Sequence, residues 1–537
     1  MNNKTLATLF TVLCSFLFAN TFAQQTHINV IPQPNNIIQG KDHFIINPKT
    51  VITCSSEQIS KNVSILSSSL KENTGLELKT KKNAGAKNSI HLKLNPVLKP
   101  EAYHITIDKK GIVCEASSNV GMFYAVQTLL QSIKPTDGKY AINCMIIEDS
   151  PQYQWRGFML DDSRHFFGKE VVKQILDVMA YLKMNRFHMH LTDENGWRVE
   201  IKKYPKLTEI GAEGNWSDRN APRKFYTQDD IREIIAYAAE RHIMVIPEID
   251  MPGHASAASR AYPEISGGGT GRWEGFTFHP AKETTYQFID DVMTEIATLF
   301  PAPYIHIGGD EVHYGNKVWF TDPLIQQFIK DNNLKNEIGL EHYFVRRACD
   351  IVNSKGKTMI GWDEIIASGV TPDKAITMWW RHDKPKQLTT ALNKGFSIIM
   401  TPRIPCYFDF VQDSTQQIGR RWGGKFNPIN EVYTFPDDIN SLIKNNQSQI
   451  MGMQASTWTE RIADTKRLYY MIFPRLAAIA EDAWTNQTRK DYSSFENNIP
   501  DFLKYLDKKG INYFNPFDKK TTPEPWGPTK ADVIAEG

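Results

Sequence analysis

The sequence predicts an α/β protein in which a (β/α)8 barrel, the TIM-barrel arrangement, follows a smaller α+β domain. Two observations predict this fold. The pattern of predicted elements changes at Asp149-Ser150-Pro151, and beyond this point short apolar strands alternate with amphipathic helices. The predicted units are a signal peptide at residues 1–23, an N-terminal α+β domain at 24–150, the barrel at 151–510 and a C-terminal tail at 511–537.

The first 23 residues are predicted to be a cleavable secretory signal. Lys4 is the only charge before an apolar run from Leu6 to Phe18, and small residues precede a cut after Ala23. The apolar run is too short to span a bilayer comfortably. We therefore expect a secreted or periplasmic protein with no membrane span.

Composition excludes several classes of protein. The 62 Lys+Arg balance 60 Asp+Glu, which argues against a nucleic-acid binder because such proteins are basic. The charged fraction of 23% and the 41% hydrophobic content exclude a disordered chain. The five cysteines after Cys14 are scattered without a Cys-x-x-Cys pair, so we expect isolated buried thiols and no structural zinc.

Short alternating strands and a helical stretch characterise the N-terminal domain. Residues 89–94 and 103–108 alternate, a Lys-Lys-Gly turn follows at 109–111, and a further strand is predicted at 111–114. Residues 120–130 have the apolar spacing of a helix. Because this domain collects no group of reactive residues, it is predicted to be a scaffold.

Eight strands with intervening helices define the predicted barrel. The strands are predicted at Gly157–Leu160, Arg186–Leu191, Ile243–Ile249, Tyr304–Ile307, Thr358–Gly361, Ala375–Trp379, Ser397–Met400 and Ile450–Ala455, with helices at Glu170–Lys183, Thr227–Arg241 and Thr284–Leu299. An open doubly wound sheet is the alternative. No Gly-x-Gly-x-x-Gly or P-loop follows a strand, so nucleotide chemistry has no support. From Thr521 the chain is Pro-rich and polar, which predicts a loose tail.

The carboxyl ends of the predicted strands collect acidic and aromatic residues. Reactive residues of a barrel lie at this face. In chain order the ends carry Asp161-Asp162, Thr192-Asp193, Pro247 to His254, Gly308-Gly309-Asp310-Glu311, Trp362-Asp363-Glu364, Trp379-Trp380, Tyr407 with Asp409, and Trp458-Thr459-Glu460, while Arg156 begins the first strand. Carboxylates hold hydroxyls and move protons, and aromatic rings pack on apolar sugar faces. The inventory predicts a sugar pocket.

His188 and His190 offer an alternative, because His-x-His on a strand points both rings the same way and is used by metal-dependent barrel hydrolases. The other strands supply no matching lysine or paired histidines. A polar role inside the barrel is therefore favoured, and no metal is predicted.

One motif resembles a known family closely. His306-Ile307-Gly308-Gly309-Asp310-Glu311 resembles the His-x-Gly-Gly-Asp-Glu signature of family 20 glycoside hydrolases, the β-N-acetylhexosaminidases. The resemblance extends from about Pro34 to Trp484, and a smaller α/β domain before the barrel is usual in the family. Further motifs match in order: Trp155-Arg156-Gly157, Leu160-Asp161, Arg164-His165-Phe166, His190-Leu191-Thr192-Asp193, Gly196-Trp197-Arg198, Glu248 to His254, Trp362-Asp363-Glu364, Tyr407-Phe408-Asp409 and Trp458-Thr459-Glu460.

The resemblance implies a mechanism in which the substrate supplies the nucleophile. Asp310 and Glu311 are neighbours, and neighbours on an extended backbone point in opposite directions, which does not suit the paired carboxylates ~5 Å apart of ordinary retaining enzymes. The family is an exception of this kind. The 2-acetamido carbonyl would form an oxazolinium ion, Glu311 would protonate the leaving oxygen and then activate water, Asp310 would hold the acetamido N–H, and Tyr407 would bond its carbonyl oxygen.

The remaining implied roles concern binding. Trp362, Trp380 and Trp458 would wall the pocket, with Trp380 a closer match than Trp379. Arg156 would bind the 3- and 4-hydroxyls, and Asp409 and Glu460 the 4- and 6-hydroxyl side. Asp193, His254 and His306 would lie behind the acid and tune it.

The resemblance implies an exo-acting enzyme that removes terminal N-acetylglucosamine or N-acetylgalactosamine from oligosaccharides or glycoconjugates, without metal or organic cofactor. A related lacto-N-biosidase, which releases a disaccharide, differs in the loops around the pocket, and Gly267-Gly268-Gly269 is a candidate mobile loop at its edge. A binding protein that lost catalysis is a third class, but Asp310, Glu311 and Tyr407 are all present. Oligomeric state, linkage and natural substrate are not predicted.

Overall fold

The computed structural model describes residues 27–82, 87–525 and 535–536. The predicted signal peptide at residues 1–23 lies outside the described residues. Within the described ranges, no helix is both long enough and apolar enough to cross a membrane.

The N-terminal domain is a mixed β-sheet covered by helices, as predicted. The elements are β1 (Asn36–Ile46), β2 (Val51–Cys54), α1 (Ser60–Thr74), β3 (Lys79–Lys82), β4 (Ser89–Leu94), β5 (Tyr103–Asp108), β6 (Gly111–Ala116), α2 (Asn119–Ser132), β7 (Lys134–Thr136) and β8 (Lys139–Asp149). The strands follow the order β1-β8-β5-β6-β4-β2-β3 in the sheet. The β5–β6 pair is an antiparallel hairpin whose inward residues alternate with outward ones.

A closed barrel of parallel strands forms the second unit, which confirms the predicted (β/α)8 fold. The open-sheet alternative is wrong because the last barrel strand pairs with the first, from Gly452 opposite Trp155 to Thr457 opposite Leu160. The barrel strands are β9 (Trp155–Asp161), β10 (Arg186–His190), β11 (Met244–Glu248), β12 (Tyr304–His306), β13 (Thr358–Trp362), β14 (Ala375–Trp379), β15 (Ser397–Met400) and β17 (Ile450–Thr457).

Helices surround the barrel and bury their apolar faces against it. Helix α5 (Gln228–Ala239) begins with a capping box, in which the Thr227 hydroxyl accepts from the Asp230 N–H and the Asp230 carboxylate accepts from the Thr227 N–H. The remaining elements are α3 (Lys169–Tyr181), α4 (Lys206–Glu209), α5 (Gln228–Ala239), α6 (Ser256–Ala261), α7 (Glu283–Leu299), α8 (Pro323–Asp331), α9 (Glu337–Ser354), α10 (Pro385–Asn393), α11 (Arg403–Cys406), β16 (Arg420–Arg421), α12 (Ile429–Tyr433), α13 (Asn440–Asn445), α14 (Thr465–Ile472), α15 (Arg475–Trp484), α16 (Tyr492–Lys508) and β18 (Ala535–Glu536).

A buried polar network joins the two units. The Asp149 carboxylate, at the end of β8, accepts hydrogen bonds from the Tyr103 hydroxyl and, at 2.9 Å, from the Trp484 indole N–H. The Lys183 ammonium lies 3.6 Å from the same carboxylate and donates to the Tyr103 hydroxyl at 2.9 Å. Burial lowers the pKa of Lys183 to about 8, and Asp149 opposes that shift. The network holds the first domain against the amino-terminal side of the barrel.

The segment after α16 packs on the barrel. Ile511 and Phe514 are buried, and the Phe514 N–H donates to the Phe473 carbonyl at 3.1 Å. The expectation of a loose tail from Thr521 is wrong as far as residue 525. The Glu524 carboxylate pairs with the buried Arg467 guanidinium at 2.9 Å and accepts the backbone N–H of Ile418 at 3.0 Å, so a long-range ion pair fixes a segment whose composition is that of a tail.

The five cysteines of the described residues are all free thiols. Cys114, Cys144, Cys349 and Cys406 are buried, and Cys54 is partly buried. Burial raises the pKa of the Cys114 thiol to about 12. The expectation of isolated buried thiols is confirmed for these four, whereas Cys54 is only partly buried. A raised pKa disfavours the reactive thiolate form of Cys114 at neutral pH.

Candidate active site

A pocket of about 110 Å³ opens at the carboxyl ends of the barrel strands. This is the face at which barrels carry reactive residues. Ten of the twelve residues expected at the site line it: Asp193, His254, Asp310, Glu311, Trp362, Trp380, Tyr407, Asp409, Trp458 and Glu460. The two exceptions are Arg156 and His306.

The backbone after β12 turns so that two neighbouring carboxyl groups enter the same pocket. Gly308 and Gly309 have φ of 68° and 92°, and Glu311 has φ of 54°. A Cβ at Gly308 would lie 1.7 Å from Asp250 Oδ1, so only glycine fits there. The expectation that Asp310 and Glu311 point in opposite directions is wrong, because it assumed an extended backbone.

His254 lies between the two carboxyl groups and a buried aspartate. Its Nδ1 is 3.0 Å from Asp193 Oδ1, and its Nε2 is 3.7 Å from Asp310 Oδ2 and 3.8 Å from Glu311 Oε2. Burial lowers the pKa of His254, but Asp193 and Asp250 outweigh it and raise that pKa well above the usual value. A protonated imidazole beside both carboxyl groups follows.

Asp310 lies close to another buried acidic residue, Asp250, as well as to Glu311. Asp250, His254 and Asp310 each offer an atom within 4.8 Å of the others. Burial raises the pKa of Asp310 to about 7, with a further increase from Glu311, while His254 opposes the shift. Burial and the Asp310 charge raise the pKa of Asp250 well above its usual value. Asp310 therefore changes its protonation close to neutral pH, beside an Asp250 carboxyl group whose neutral form is favoured by burial.

Aromatic rings form the walls of the pocket. The Trp380 and Tyr407 rings are parallel within 6°, with centroids 6.4 Å apart. The Trp458 centroid lies 5.8 Å from that of Trp362 and 6.0 Å from that of Tyr407. Carboxylates fix two of the rings, because the Trp380 N–H donates to Glu364 at 3.0 Å and the Trp362 N–H donates to Glu248 at 3.1 Å. Trp379 instead packs in the main hydrophobic core.

Two carboxylates and an arginine line the far side of the pocket. The Arg420 guanidinium lies 3.3 Å from Asp409 and 3.0 Å from Glu460. Among the described residues, Asp409 Oδ1 and Glu460 Oε2 have no hydrogen-bond partner. Burial raises the pKa of Asp409 to about 7, which Arg420 opposes. Both carboxyl groups therefore have oxygens available to accept hydrogen bonds from hydroxyl groups.

Comparison with known protein families identifies the family to which this chain belongs. A family model described as glycosyl hydrolase family 20, catalytic domain, matches residues 153–487, and one described as domain 2 of the same family matches residues 27–150. The chain belongs to glycosyl hydrolase family 20.

Individual relatives agree with the family. A beta-hexosaminidase of Porphyromonas gingivalis is 35% identical over 92% of this chain, which spans 65% of that protein's length. A beta-N-acetylhexosaminidase of Cellulomonas fimi is 30% identical over 90% of this chain and 96% of its own length. The solved exo-β-N-acetylglucosaminidase of Vibrio harveyi, in complex with N-acetylglucosamine, matches with a TM-score of 0.83 at 32% identity, over 92% of this chain and 80% of its own.

The expectation that Arg156 binds sugar hydroxyls in this family 20 site is wrong. Arg156 lies near the start of β9, at the opposite end of the barrel from the pocket, and is fully buried. Its guanidinium donates to Glu101 Oε1 at 2.7 Å, to the Tyr124 hydroxyl at 2.8 Å and to the carbonyls of Tyr153 and Lys183 at 2.8 Å. Arg156 therefore joins the two domains.

Arg164, beyond the carboxyl end of β9, lines the pocket in place of Arg156. It lies 2.7 Å from Asp193 and 3.4 Å from Asp161, and its guanidinium stacks 5.1 Å from the Trp458 centroid. Its position beyond the carboxyl end of the first predicted barrel strand is the sequence signal that could have identified Arg164 as a site residue. Arg403 and Arg420 also line the pocket and were missed, because they lie in α11 and β16, elements of four and two residues that are too short for a periodic pattern to predict.

His306, His188 and His190 surround Glu248 inside the barrel and do not line the pocket. Each has a ring nitrogen within 3.0 Å of a Glu248 carboxylate oxygen, His190 being nearest at 2.6 Å. Burial lowers the pKa of His188 to about 4. The His188, Glu248 and His306 group has a spacing that a metal ion could bridge, but its members do not reach the cavity where a substrate would bind.

Proposed function

We propose that this protein removes terminal, non-reducing, β-linked N-acetylglucosamine or N-acetylgalactosamine by substrate-assisted hydrolysis with retention. One observation carries the proposal. Asp310, Glu311 and Tyr407 meet in a small pocket walled by tryptophans, with Glu311 the more exposed acid at 32% of its side chain and Asp310 the deeper one at 12%.

The two acids have different tasks in this reaction. The acetamido carbonyl oxygen attacks the anomeric carbon while Glu311, at the mouth, gives its proton to the departing oxygen. Asp310 accepts the acetamido N–H and stabilises the positive charge of the oxazolinium ion, and the Tyr407 hydroxyl donates to the carbonyl oxygen. Glu311 then takes a proton from water, which opens the oxazolinium from the face that the leaving group vacated, so the β configuration is retained.

Sugar hydroxyls are bound by the charged side of the pocket. Arg164 takes the role first expected of Arg156, because its guanidinium is the one next to Trp458. Asp409 and Glu460 accept hydrogen bonds from sugar hydroxyls through their free oxygens. A pocket of about 110 Å³ supports release of one sugar, which disfavours the lacto-N-biosidase alternative. The substrates are N-acetylhexosamine-containing oligosaccharides or glycoconjugates.

The site of action is proposed to be the periplasm or the external medium, on the strength of the signal-like residues 1–23. The balanced charge of the chain supports no nucleic-acid partner. Cell fractionation tests the location, because a cytoplasmic mature protein would contradict it.

Turnover of three aryl glycosides tests the proposed activity. Aryl N-acetyl-β-glucosaminide and galactosaminide should be hydrolysed, whereas the plain β-glucoside should not, because it lacks the nucleophile. Activity that a chelator abolishes would favour the metal-dependent alternative, and sugar binding without turnover would favour the binding-protein alternative.

A further inference from the structure

A buried carboxylate lies inside the barrel, in contact with one wall of the pocket. Glu248 ends β11 and is fully buried. It pairs across the sheet with His190 of β10 and His306 of β12, so the three side chains belong to one layer of the barrel. Such layers are normally filled by branched apolar side chains. The sequence thus places a charge where packing alone favours an aliphatic residue.

Both carboxylate oxygens of Glu248 are surrounded by nitrogen atoms. Oε1 accepts the Trp362 indole N–H at 3.1 Å and lies 2.8 Å from His306 Nδ1. Oε2 lies 2.6 Å from His190 Nδ1 and 3.0 Å from His188 Nε2. Burial raises the pKa of Glu248, but the three imidazoles outweigh it and lower that pKa well below its usual value. Glu248 is therefore ionised and held at both oxygens.

One of the three imidazoles connects Glu248 to the two catalytic acids. His190 Nε2 lies 2.8 Å from Asp193 Oδ2, and Asp193 Oδ1 lies 3.0 Å from His254 Nδ1. Burial lowers the pKa of His190, but Glu248 and Asp193 outweigh it and raise that pKa well above the usual value. Negative and positive side chains therefore alternate along this series, which ends at His254 beside the two acids.

A second imidazole connects Glu248 to the turn that carries the acids. The backbone N–H of Gly308, the first residue of that turn, donates to His306 Nδ1 at 2.9 Å. The His306 ring also packs against the Trp362 ring, with centroids 4.8 Å apart. One carboxylate is thus linked to the pocket wall, to the catalytic turn and to the series that ends at His254.

We propose that Glu248 and His190 are positioning residues for the step that forms the oxazolinium ion, an inference that rests on the proposed function. Neither lines the pocket. Glu248 fixes the Trp362 ring in the pocket wall, and His190 couples that carboxylate to Asp193, which orients His254. Buried ion pairs are often no more stabilising than apolar packing, so stability alone does not account for the cluster. Misplacing reacting groups by about 1 Å can lower a rate about 10²-fold.

Replacing Glu248 by glutamine removes the charge and keeps the shape. For Glu248→Gln, kcat should fall at least about tenfold for both phenyl and nitrophenyl N-acetyl-β-glucosaminides, because attack by the acetamido oxygen is common to both, while KM stays within about threefold. A thiazoline analogue of the oxazolinium ion should bind at least about tenfold more weakly, whereas binding of the product N-acetylglucosamine weakens less than about threefold.

The inhibition constants separate positioning from a purely structural role. Unfolding of part of the enzyme lowers the apparent kcat but does not change the affinity of the folded part for thiazoline. Glu481→Gln is the matched control, because Glu481 is a buried carboxylate of α15 outside the pocket that accepts the Gln33 N–H and the Tyr433 hydroxyl. Its kcat and thiazoline affinity should stay within about twofold of wild type.

His190→Gln is a second variant, which keeps the inference testable if Glu248→Gln does not fold. It interrupts the series between Glu248 and Asp193 and leaves the Trp362 hydrogen bond in place. Its thiazoline affinity should fall at least about fivefold, with product affinity again changing less.

Thiazoline affinity and kcat within about twofold of wild type in the folded variants would overturn the inference. Equal weakening of thiazoline and product would also overturn it, because that result indicates a general loss of pocket shape. A wild-type enzyme that neither hydrolyses the two glycosides nor binds thiazoline would instead count against the proposed function, so the two failures are distinguishable.

Discussion

Replacing Arg156 by methionine separates a domain-joining role from a sugar-binding role. Its guanidinium is fully buried and makes four hydrogen bonds, one of them to the Glu101 carboxylate, whose side chain is 22% exposed. Removing one partner of a buried ion pair costs about 3–5 kcal/mol. We expect the free energy of unfolding of Arg156→Met to fall by about that amount, with KM for an aryl N-acetyl-β-glucosaminide within twofold of wild type.

Urea unfolding followed by tryptophan fluorescence measures the stability, and steady-state kinetics measure KM. Arg420→Met is the matched control, because Arg420 lines the pocket and its side chain is 34% exposed. That variant should lower kcat/KM at least about tenfold, because it removes the cation beside the buried carboxylates of Asp409 and Glu460 in the pocket. A large rise in KM for Arg156→Met without destabilisation would refute this reasoning.

Three further predictions concern the pocket. Trp458→Ala and Trp362→Ala should each lower kcat/KM at least about tenfold, because the contact with the sugar is lost, while the circular dichroism spectrum stays unchanged. Aromatic contacts add ~0.5–1.5 kcal/mol beyond the area that they bury. A near-wild-type enzyme would contradict the assignment of these rings to the pocket wall. Glu311→Gln should slow the hydrolysis of substrates with poor leaving groups by a factor of about 10²–10⁴ and that of nitrophenyl substrates far less, whereas Asp310→Asn should slow the hydrolysis of both. If the dependence on the leaving group appears in the Asp310 variant instead, the roles of the two acids would be exchanged. Because burial raises the pKa of Asp310 to about 7 and the reaction needs its carboxylate, kcat/KM should fall as pH drops below about 7; a flat profile from pH 7 to 5 would show that Asp310 is already ionised there.

The barrel was predictable because its strands are buried on both faces. Such strands appear in sequence as continuous apolar runs between polar loops, and Ala375–Trp379 and Ser397–Met400 were placed with their observed bounds. The ends of some strands were predicted too short, because Trp362 and Thr457 continue the hydrogen-bonded ladder beyond the predicted strand ends. Pairing between neighbouring strands, which the sequence does not state, sets those ends.

The candidate site was predictable where its residues follow strand ends, and missed where they do not. Arg156 and Arg164 flank the same strand, and the polarity of the barrel alone favours Arg164, since reactive residues follow the carboxyl end. Arg403 and Arg420 lie in α11 and β16, very short elements whose positions are set by tertiary contacts rather than by a sequence pattern.

The nucleophilicity of the acetamido carbonyl is the most direct test of substrate-assisted catalysis. Aryl β-glucosaminides carrying acetyl, fluoroacetyl, difluoroacetyl and trifluoroacetyl groups on nitrogen differ little in size, but each fluorine withdraws electrons from the carbonyl oxygen. If that oxygen attacks the anomeric carbon, kcat/KM should fall steeply along the series. Rates that do not depend on fluorination, together with a covalent sugar adduct on an Asp or Glu of this chain detected by mass spectrometry, would contradict the mechanism.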